Sequence, residues 1–325
     1  MRRTLFLFVF FLHILPTVLS SSATAQDLQV TMGYFPNITH AHALIAQNMA
    51  ARGEGWFEAR IPGLHLKWAS FNAGPSAMEA LFAKAVDITY VGPNPALNAY
   101  VRSNSSGLHV VSGAVRGGAA LVVPKDSPLA APRDFMGKRV ATPQLGNTQD
   151  IACRNWFLQA GLQVTMTGGD VQIIPTANPS IFDLFSTGEI DAAWTVEPWV
   201  SRLELEAGGK IVYSEPAETS LTTLLVAGSD FAAAHPDIVQ KIVAAQEELN
   251  AWILAHPEEA KRRVADELTR QTRHEFPLSL VEHAWPRLVF NTSISTEDFA
   301  LTLQAAQKAG FIKENPDLSG LVMHP

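Results

Sequence analysis

Apolar and polar residues alternate with a period of two along Leu28 to Tyr34 and again along Leu64 to Trp68, the pattern of half-buried strands. Between them, Leu44, Ile45, Asn48 and Met49 recur at helical spacing and predict a helix over Thr39 to Arg52, with Thr39 as its cap. An amphipathic helix over Pro75 to Lys84 then runs into a short apolar strand, Val86 to Val91, and a further helix opening at Pro93. About a hundred residues later this unit recurs. Leu81 and Phe82, then Val86-Asp87 and Tyr90, are echoed by Leu184 and Phe185, then Ile190-Asp191 and Trp194, and each copy reaches a proline, Pro93 or Pro198.

Strands are also predicted near Leu108 to Ala114, Ala119 to Val123, Lys138 to Thr142, Val171 to Ile174 and Lys210 to Tyr213. Helices are predicted from Gly146 through Ala160 and over Ser180 to Ser186. From Ser229 the pattern is mostly helical, with Pro236 to Ala255, Pro257 to Gln271, and a capping box at Ser295 and Asp298 opening Ser295 to Ala309. Strands alternating with helices of about ten residues predict βα units and an α/β fold with mainly parallel sheets. The duplicated unit predicts two lobes. A Pro/Ser/Asp-rich stretch at Pro124 to Pro132 and a return at Thr222 to Ala227 place the boundaries: residues 26–123 with 225–325 in one lobe, residues 124–224 in the other.

The chain has 325 residues, 47% of them apolar, enough for two cores. A net charge of −7 and the absence of a Lys/Arg run argue against nucleic acid as a partner. At the start, Arg2 and Arg3, the apolar run Leu5 to Leu15 and Ala23-Thr24-Ala25 predict a signal peptide over residues 1–25 and a periplasmic location. Its apolar run is shorter than the roughly 20 residues of a membrane span. Loss of Arg2 and Arg3 would take the net charge from −7 to −9. Cys153 is the single cysteine, so no disulfide forms within the chain, and its apolar neighbours predict a buried structural thiol.

Nucleotide-cradling glycine loops, zinc-binding His/Glu pairs and the Gly-x-Ser-x-Gly elbow are missing, so no cofactor and no catalytic group is expected. His40 and His42, two apart on a helix, face different ways and cannot pinch one metal ion. Four loops end strands and start helices: Pro36 to His40, Asn72 to Pro75, Gly92 to Pro95 and Gly146 to Gln149. In open α/β sheets these carboxyl ends line the ligand crevice, and free N–H groups at helix starts favour an anion without any lysine. Each loop by itself is no more than good turn chemistry; four on one side of the sheets predict a site. Trp194 and Glu197, at the second copy's strand end with Trp199 nearby, read as an aromatic and a carboxylate able to hold an amine. Trp252 and Trp285 read as core.

These same residues carry a resemblance. The Asn72 to Pro75 turn, the Leu81 to Asn94 unit, the Gly146-Asn147-Thr148 loop and Trp194 to Trp199 are similar to those of periplasmic substrate-binding proteins of the aliphatic sulfonate, taurine and nitrate ABC-importer family. The resemblance covers nearly the whole chain after residue 25. It implies a type II periplasmic-binding-protein fold, two lobes closing on a two-segment hinge, a monomer, and a permease with its ATPase as partners. It also implies a small anionic ligand held by Asn37, Thr39, His40, Asn72, Gly92, Pro93, Asn94, Asn147, Thr148, Trp194 and Glu197. His40 departs from the family pattern. An alkanesulfonate or a taurine-like compound is expected, with nitrate, bicarbonate, a pyrimidine or a phosphorus oxyanion as alternatives. Pyrimidine-precursor synthases of thiamine biosynthesis resemble the same family, but they are intracellular and carry a cysteine-rich motif.

Overall fold

The computed structural model describes residues 27–323; the expected signal peptide lies outside them. Two six-stranded sheets form two lobes. In the first lie β1 (Leu28–Tyr34), β2 (Leu64–Ser70), β3 (Ile88–Val91), β4 (Leu108–Gly117), β11 (Leu221–Gly228) and β12 (Leu288–Phe290), in the order β12-β4-β11-β3-β1-β2. In the second lie β5 (Ala119–Pro124), β6 (Lys138–Thr142), β7 (Val164–Thr165), β8 (Val171–Pro175), β9 (Ala192–Val196) and β10 (Gly209–Ser214), in the order β10-β5-β9-β6-β8-β7. The helices that bear on the site are α1 (Ala41–Ala51), α2 (Gly74–Phe82), α3 (Pro93–Arg102), α4 (Thr148–Gln159), α5 (Asn178–Ser186), α6 (Trp199–Leu205), α8 (Pro236–Ala255), α9 (Pro257–Thr272), α10 (Leu278–Ala284) and α11 (Ala300–Lys308).

The repeat seen in the pattern is a repeat of architecture. β3 pairs in parallel with β1, and β9 in parallel with β6. Each is flanked on its other side by an antiparallel strand, β11 or β5. Both copies use their aspartate in the same way. Asp87 and Asp191 each donate a backbone N–H to the neighbouring strand, to Thr31 and Arg139 carbonyls at 2.9 Å. Each carboxylate then accepts the N–H of that same residue at 2.8 Å. This clamp sets the register of the strand that leads into the site.

The expectation of mainly parallel sheets is corrected to mixed ones. The βα units do pair in parallel, but β4, β5, β10, β11 and β12 pair antiparallel. β5 and β11 are entered directly from the other lobe without a crossover helix, so β5 runs antiparallel to β9 and β10, and β11 to β3 and β4; β12 runs antiparallel to β4. The positions of the two crossings are also corrected. Residues 119–123, expected in the first lobe, belong to β5 of the second sheet, and residues 221–224, expected in the second, open β11 of the first. The chain crosses at Gly117-Gly118, both at positive φ (71° and 75°), and returns across Glu215 to Ser220. Polar turn composition at Pro124 to Pro132 marks only the exit from β5.

Each sheet is covered on both faces. In the first lobe α1, α8 and α9 bury Leu44, Ile45, Leu249 and Val264 against one face, while α2, α3 and α11 bury Leu81, Leu97 and Ala306 against the other. The capping box at Ser295 and Asp298 is present. Thr39 does not cap α1: it lies in a 3-10 turn, Ile38–His40, that precedes the helix. Among the described residues no helix is long and apolar enough to cross a membrane.

Candidate functional site

Five strand-to-helix connections point into one cleft between the lobes. From the first lobe come the 3-10 turn at Ile38–His40, the start of α2 and the start of α3; from the second, the starts of α4 and α5. Pro75, Pro93 and Pro179 sit in the first turns of α2, α3 and α5, where a missing N–H costs nothing and the fixed φ suits a helix. Around the cavity stand Asn37, Thr39, His40, Asn72, Gly92, Asn147 and Thr148, all expected at the site, together with Gly74, Gln149, Asn178 and Thr222. Its volume is about 20 Å³, close to that of one or two water molecules. No acidic or basic side chain, leaving aside histidine, lines it.

What reaches the cavity is a set of hydrogen-bond donors. Asn147 caps α4 by accepting the Asp150 N–H at 2.8 Å. That leaves the Thr148 and Gln149 N–H groups without intrahelical partners. Thr148 Oγ1 is buried and has no hydrogen-bond partner among the described residues. His40 Nδ1 accepts the Phe35 N–H at 3.3 Å, so the ring carries its proton on Nε2. Burial pushes the His40 pKa down to about 3, and the nearby His42 adds to that, so the ring is neutral. Asn178 Oδ1 accepts the Thr195 hydroxyl at 2.7 Å, and Asn37 Oδ1 accepts the Trp199 indole N–H at 3.1 Å. Each bond turns a carboxamide so that its NH2 remains to be used. Helix N-termini and neutral donors with no competing carboxylate suit an anion.

The two lobes touch across the cleft. A Cβ on Gly92 would lie 2.3 Å from Thr148 Oγ1 in the opposite lobe. Asn72 Nδ2 donates to the Pro143 carbonyl across the cleft, and Ser76 Oγ to Gln144 Oε1, both at 3.3 Å.

Four expected residues stand elsewhere. Pro93 and Asn94 turn away from this cavity toward a second pocket beside α11, where Asn94 Nδ2 donates to the Thr302 carbonyl. Trp194 is fully buried under α4 and donates its indole N–H to Glu215 at 2.8 Å. Glu197 lines neither pocket. Its carboxylate accepts Arg287 Nε at 2.6 Å and the Ser201 N–H at 3.1 Å. Burial raises its pKa above the ordinary value, against the pull of Arg287. An arginine thus occupies the place expected for a ligand amine. His42 hydrogen-bonds Asn250 through Nε2 at 3.1 Å, and burial lowers its pKa to about 4. Cys153 is buried. Among the described residues no cluster of His, Cys, Asp and Glu could hold a metal ion.

Asn178 and Thr222 escaped the sequence reading. Asn178 had a signal: Ala177-Asn178-Pro179 opens a helix with proline at its second position, as Ala73-Gly74-Pro75 does. Thr222 had none, since it reaches the cleft only because β11 returns across the first sheet.

The taurine-binding periplasmic protein of Escherichia coli (strain K12) is 26% identical over 241 residues, 72% of this chain and 69% of that one. Among solved structures, the alkanesulfonate-binding protein SsuA of Xanthomonas axonopodis pv. citri, bound to MOPS, superposes with a TM-score of 0.77 at 19% identity, over 93% of this chain and all of the other. The periplasmic nitrate-binding protein NrtA of Synechocystis PCC 6803 superposes with a TM-score of 0.74 at 11% identity, over 89% of this chain and 83% of that one. These likenesses establish the periplasmic-binding-protein fold. Residues 23–269 match the model of the NMT1-like family, and the chain belongs to that family.

Proposed function

We propose that the chain is the extracytoplasmic substrate-binding component of an ABC importer, capturing a small organic anion, foremost a sulfonate, between two closing lobes. One observation carries the reading: helix starts from both lobes meet, with neutral donors, at a cavity free of charged side chains. Anions are stabilised where uncompensated N–H groups and helix dipoles converge. The relative named for taurine binding and the neighbour named for alkanesulfonate binding favour a sulfonate. In this reading residues 27–117 with 221–323 form one lobe, residues 119–214 the other, and Gly117-Gly118 with Glu215 to Ser220 act as the hinge. The ligand contacts are Asn37, Thr39, His40, Asn72, Gly92, Asn147 and Thr148, joined by Gly74, Gln149 and Asn178. The protein acts outside the cytoplasm as a monomer that hands its ligand to a permease and ATPase, and it performs no chemistry.

The small volume favours a second reading, a compact oxyanion such as nitrate or bicarbonate. A pyrimidine fits less well, because Phe35 and His40 pack against each other with ring centroids 4.3 Å apart. Thermal unfolding with taurine, ethanesulfonate, nitrate, bicarbonate and uracil separates these readings. The true ligand at about 100 times its Kd stabilises by about 2.7 kcal/mol. A shift with a sulfonate supports the first reading and a shift with nitrate or bicarbonate alone the second. No shift with any anion refutes both.

A further inference from the structure

We propose that a second cavity, of about 300 Å³ between α4, α11 and the Glu215 to Ser220 crossing, binds an organic ammonium ion, with Glu215 as its counter-charge and the rings of Trp156 and Tyr213 as its walls.

The starting observation is a carboxylate with no cation. Asp150, Glu197 and Glu267 have fully buried side chains, and each faces an arginine: Arg154, Arg287 and Arg270. Glu215 makes no ion pair among the described residues. One of its oxygens accepts the Trp194 indole N–H at 2.8 Å, and the other makes no hydrogen bond among those residues. Its backbone is fixed, donating its N–H to the Ala119 carbonyl at 3.0 Å. Desolvation pushes its pKa up to about 7, the cost of holding that carboxylate without a counter-ion.

Three aromatic rings surround it. Trp194 packs at 5.3 Å from Tyr213 and 6.0 Å from Trp156, and Tyr213 lies 5.8 Å from Trp156. Trp194 is wholly buried and serves to orient the carboxylate. Trp156 and Tyr213 are half-buried and line the cavity, which reaches solvent past the exposed Leu301. A carboxylate beside aromatic surface, in a space partly shielded from water, attracts a soft organic cation more strongly than a hydrated metal ion. The amide of Asn155, on the same wall, can accept a hydrogen bond from a hydroxyl or N–H carried by the cation.

The other titratable groups facing this carboxylate do not compete for the role. Tyr213 and Cys153 have pKa values raised by burial, so both stay neutral near pH 7, and Asp298 is bound to Arg116 at 2.8 Å. Glu215 is therefore the group whose ionisation governs the cation.

Tryptophan fluorescence of the whole protein, titrated with choline chloride against sodium chloride at matched ionic strength, reads the site directly. The expected result is a saturable response to choline that tightens about tenfold between pH 6 and 8 as the carboxylate ionises. Both Glu215→Gln and Trp156→Ala should weaken it at least about tenfold. A choline response no different from that to sodium, an affinity that does not change with pH, or an unchanged affinity in either variant overturns the proposal. The wild-type titrations decide even if a variant fails to fold. Ethanesulfonate, an anion without an ammonium group, reports on the other cavity when its binding is read by unfolding temperature, so either site can fail without the other.

Discussion

At Gly92 a missing side chain sets how closely the lobes approach. The residue's φ is −73°, open to any amino acid, so the reason for glycine is space rather than backbone conformation. Thr148, on the other side of the cleft, is β-branched and cannot swing its Oγ1 and Cγ2 both out of the way. Gly92→Ala is expected to hold the cleft ajar, weakening ligand binding at least about tenfold with little change in unfolding temperature, since the clash exists only between lobes. Calorimetric titration of the variant with the ligand found by thermal unfolding checks this. Wild-type affinity would mean the lobes do not need the contact. Residue by residue, placement around the cavity was legible wherever a group sat in a strand-to-helix loop, as Asn37, His40, Asn72 and Thr148 do. No such signal marked the pairing of Glu197, whose partner Arg287 lies 90 positions away on a short 3-10 turn that no periodicity announces.

The contact between α6 and the α10 end is an element-scale feature. Arg287 bonds Glu197, donates to Ser201 Oγ at 2.8 Å and lies 3.1 Å from Glu204, which also receives His283 at 3.1 Å. Glu197, Ser201 and Glu204 follow β9, whereas His283 and Arg287 belong to the first lobe, so the cluster fastens one lobe to the other. Arg287→Ala leaves Glu197 buried without its cation, at a cost of about 3 kcal/mol to the closed form. Glu197→Gln should therefore weaken taurine and ethanesulfonate by a similar factor. Loss of taurine alone would restore the amine-binding role that the sequence suggested. The repeated helix-strand unit was readable because its burial is local. The strands β4 and β5 were also readable, but not their sheets, and β11 was expected only as a return crossing, because pairing across a crossing depends on contacts far apart in the chain.

For the molecule as a whole, the buried histidines set a limit on acid stability. His40 and His42 have folded pKa values of about 3 and about 4, against 6.5 in the unfolded chain. Between those values the unfolded chain binds more protons, so acid destabilises the fold. Each histidine costs up to about 1.4 kcal/mol per pH unit as pH falls below about 6.5. Glu215 acts in the opposite sense, because its raised pKa gives stability that is lost as pH rises toward about 7. Urea midpoints of the wild type and His42→Gln, followed from pH 8 to pH 5, should converge as the pH falls. Curves that stay parallel would show that His42 is not buried in its neutral form. The α/β fold class and a cleft lined by helix starts without charged side chains were legible at this scale, since they follow from βα alternation and from strand-to-helix loops without lysine. The closed arrangement was not, because it rests on contacts between lobes.

The tightness of the closed cleft bears on kinetics. Direct hydrogen bonds from Asn72, Ser76 and Asn37 join the lobes around a volume of about 20 Å³. A ligand held by donors from both lobes leaves more readily when the lobes part, so its dissociation rate depends on how often those bonds between lobes break. Its residence time is then set in part by bonds that join lobe to lobe rather than protein to ligand, such as that of Ser76 with Gln144.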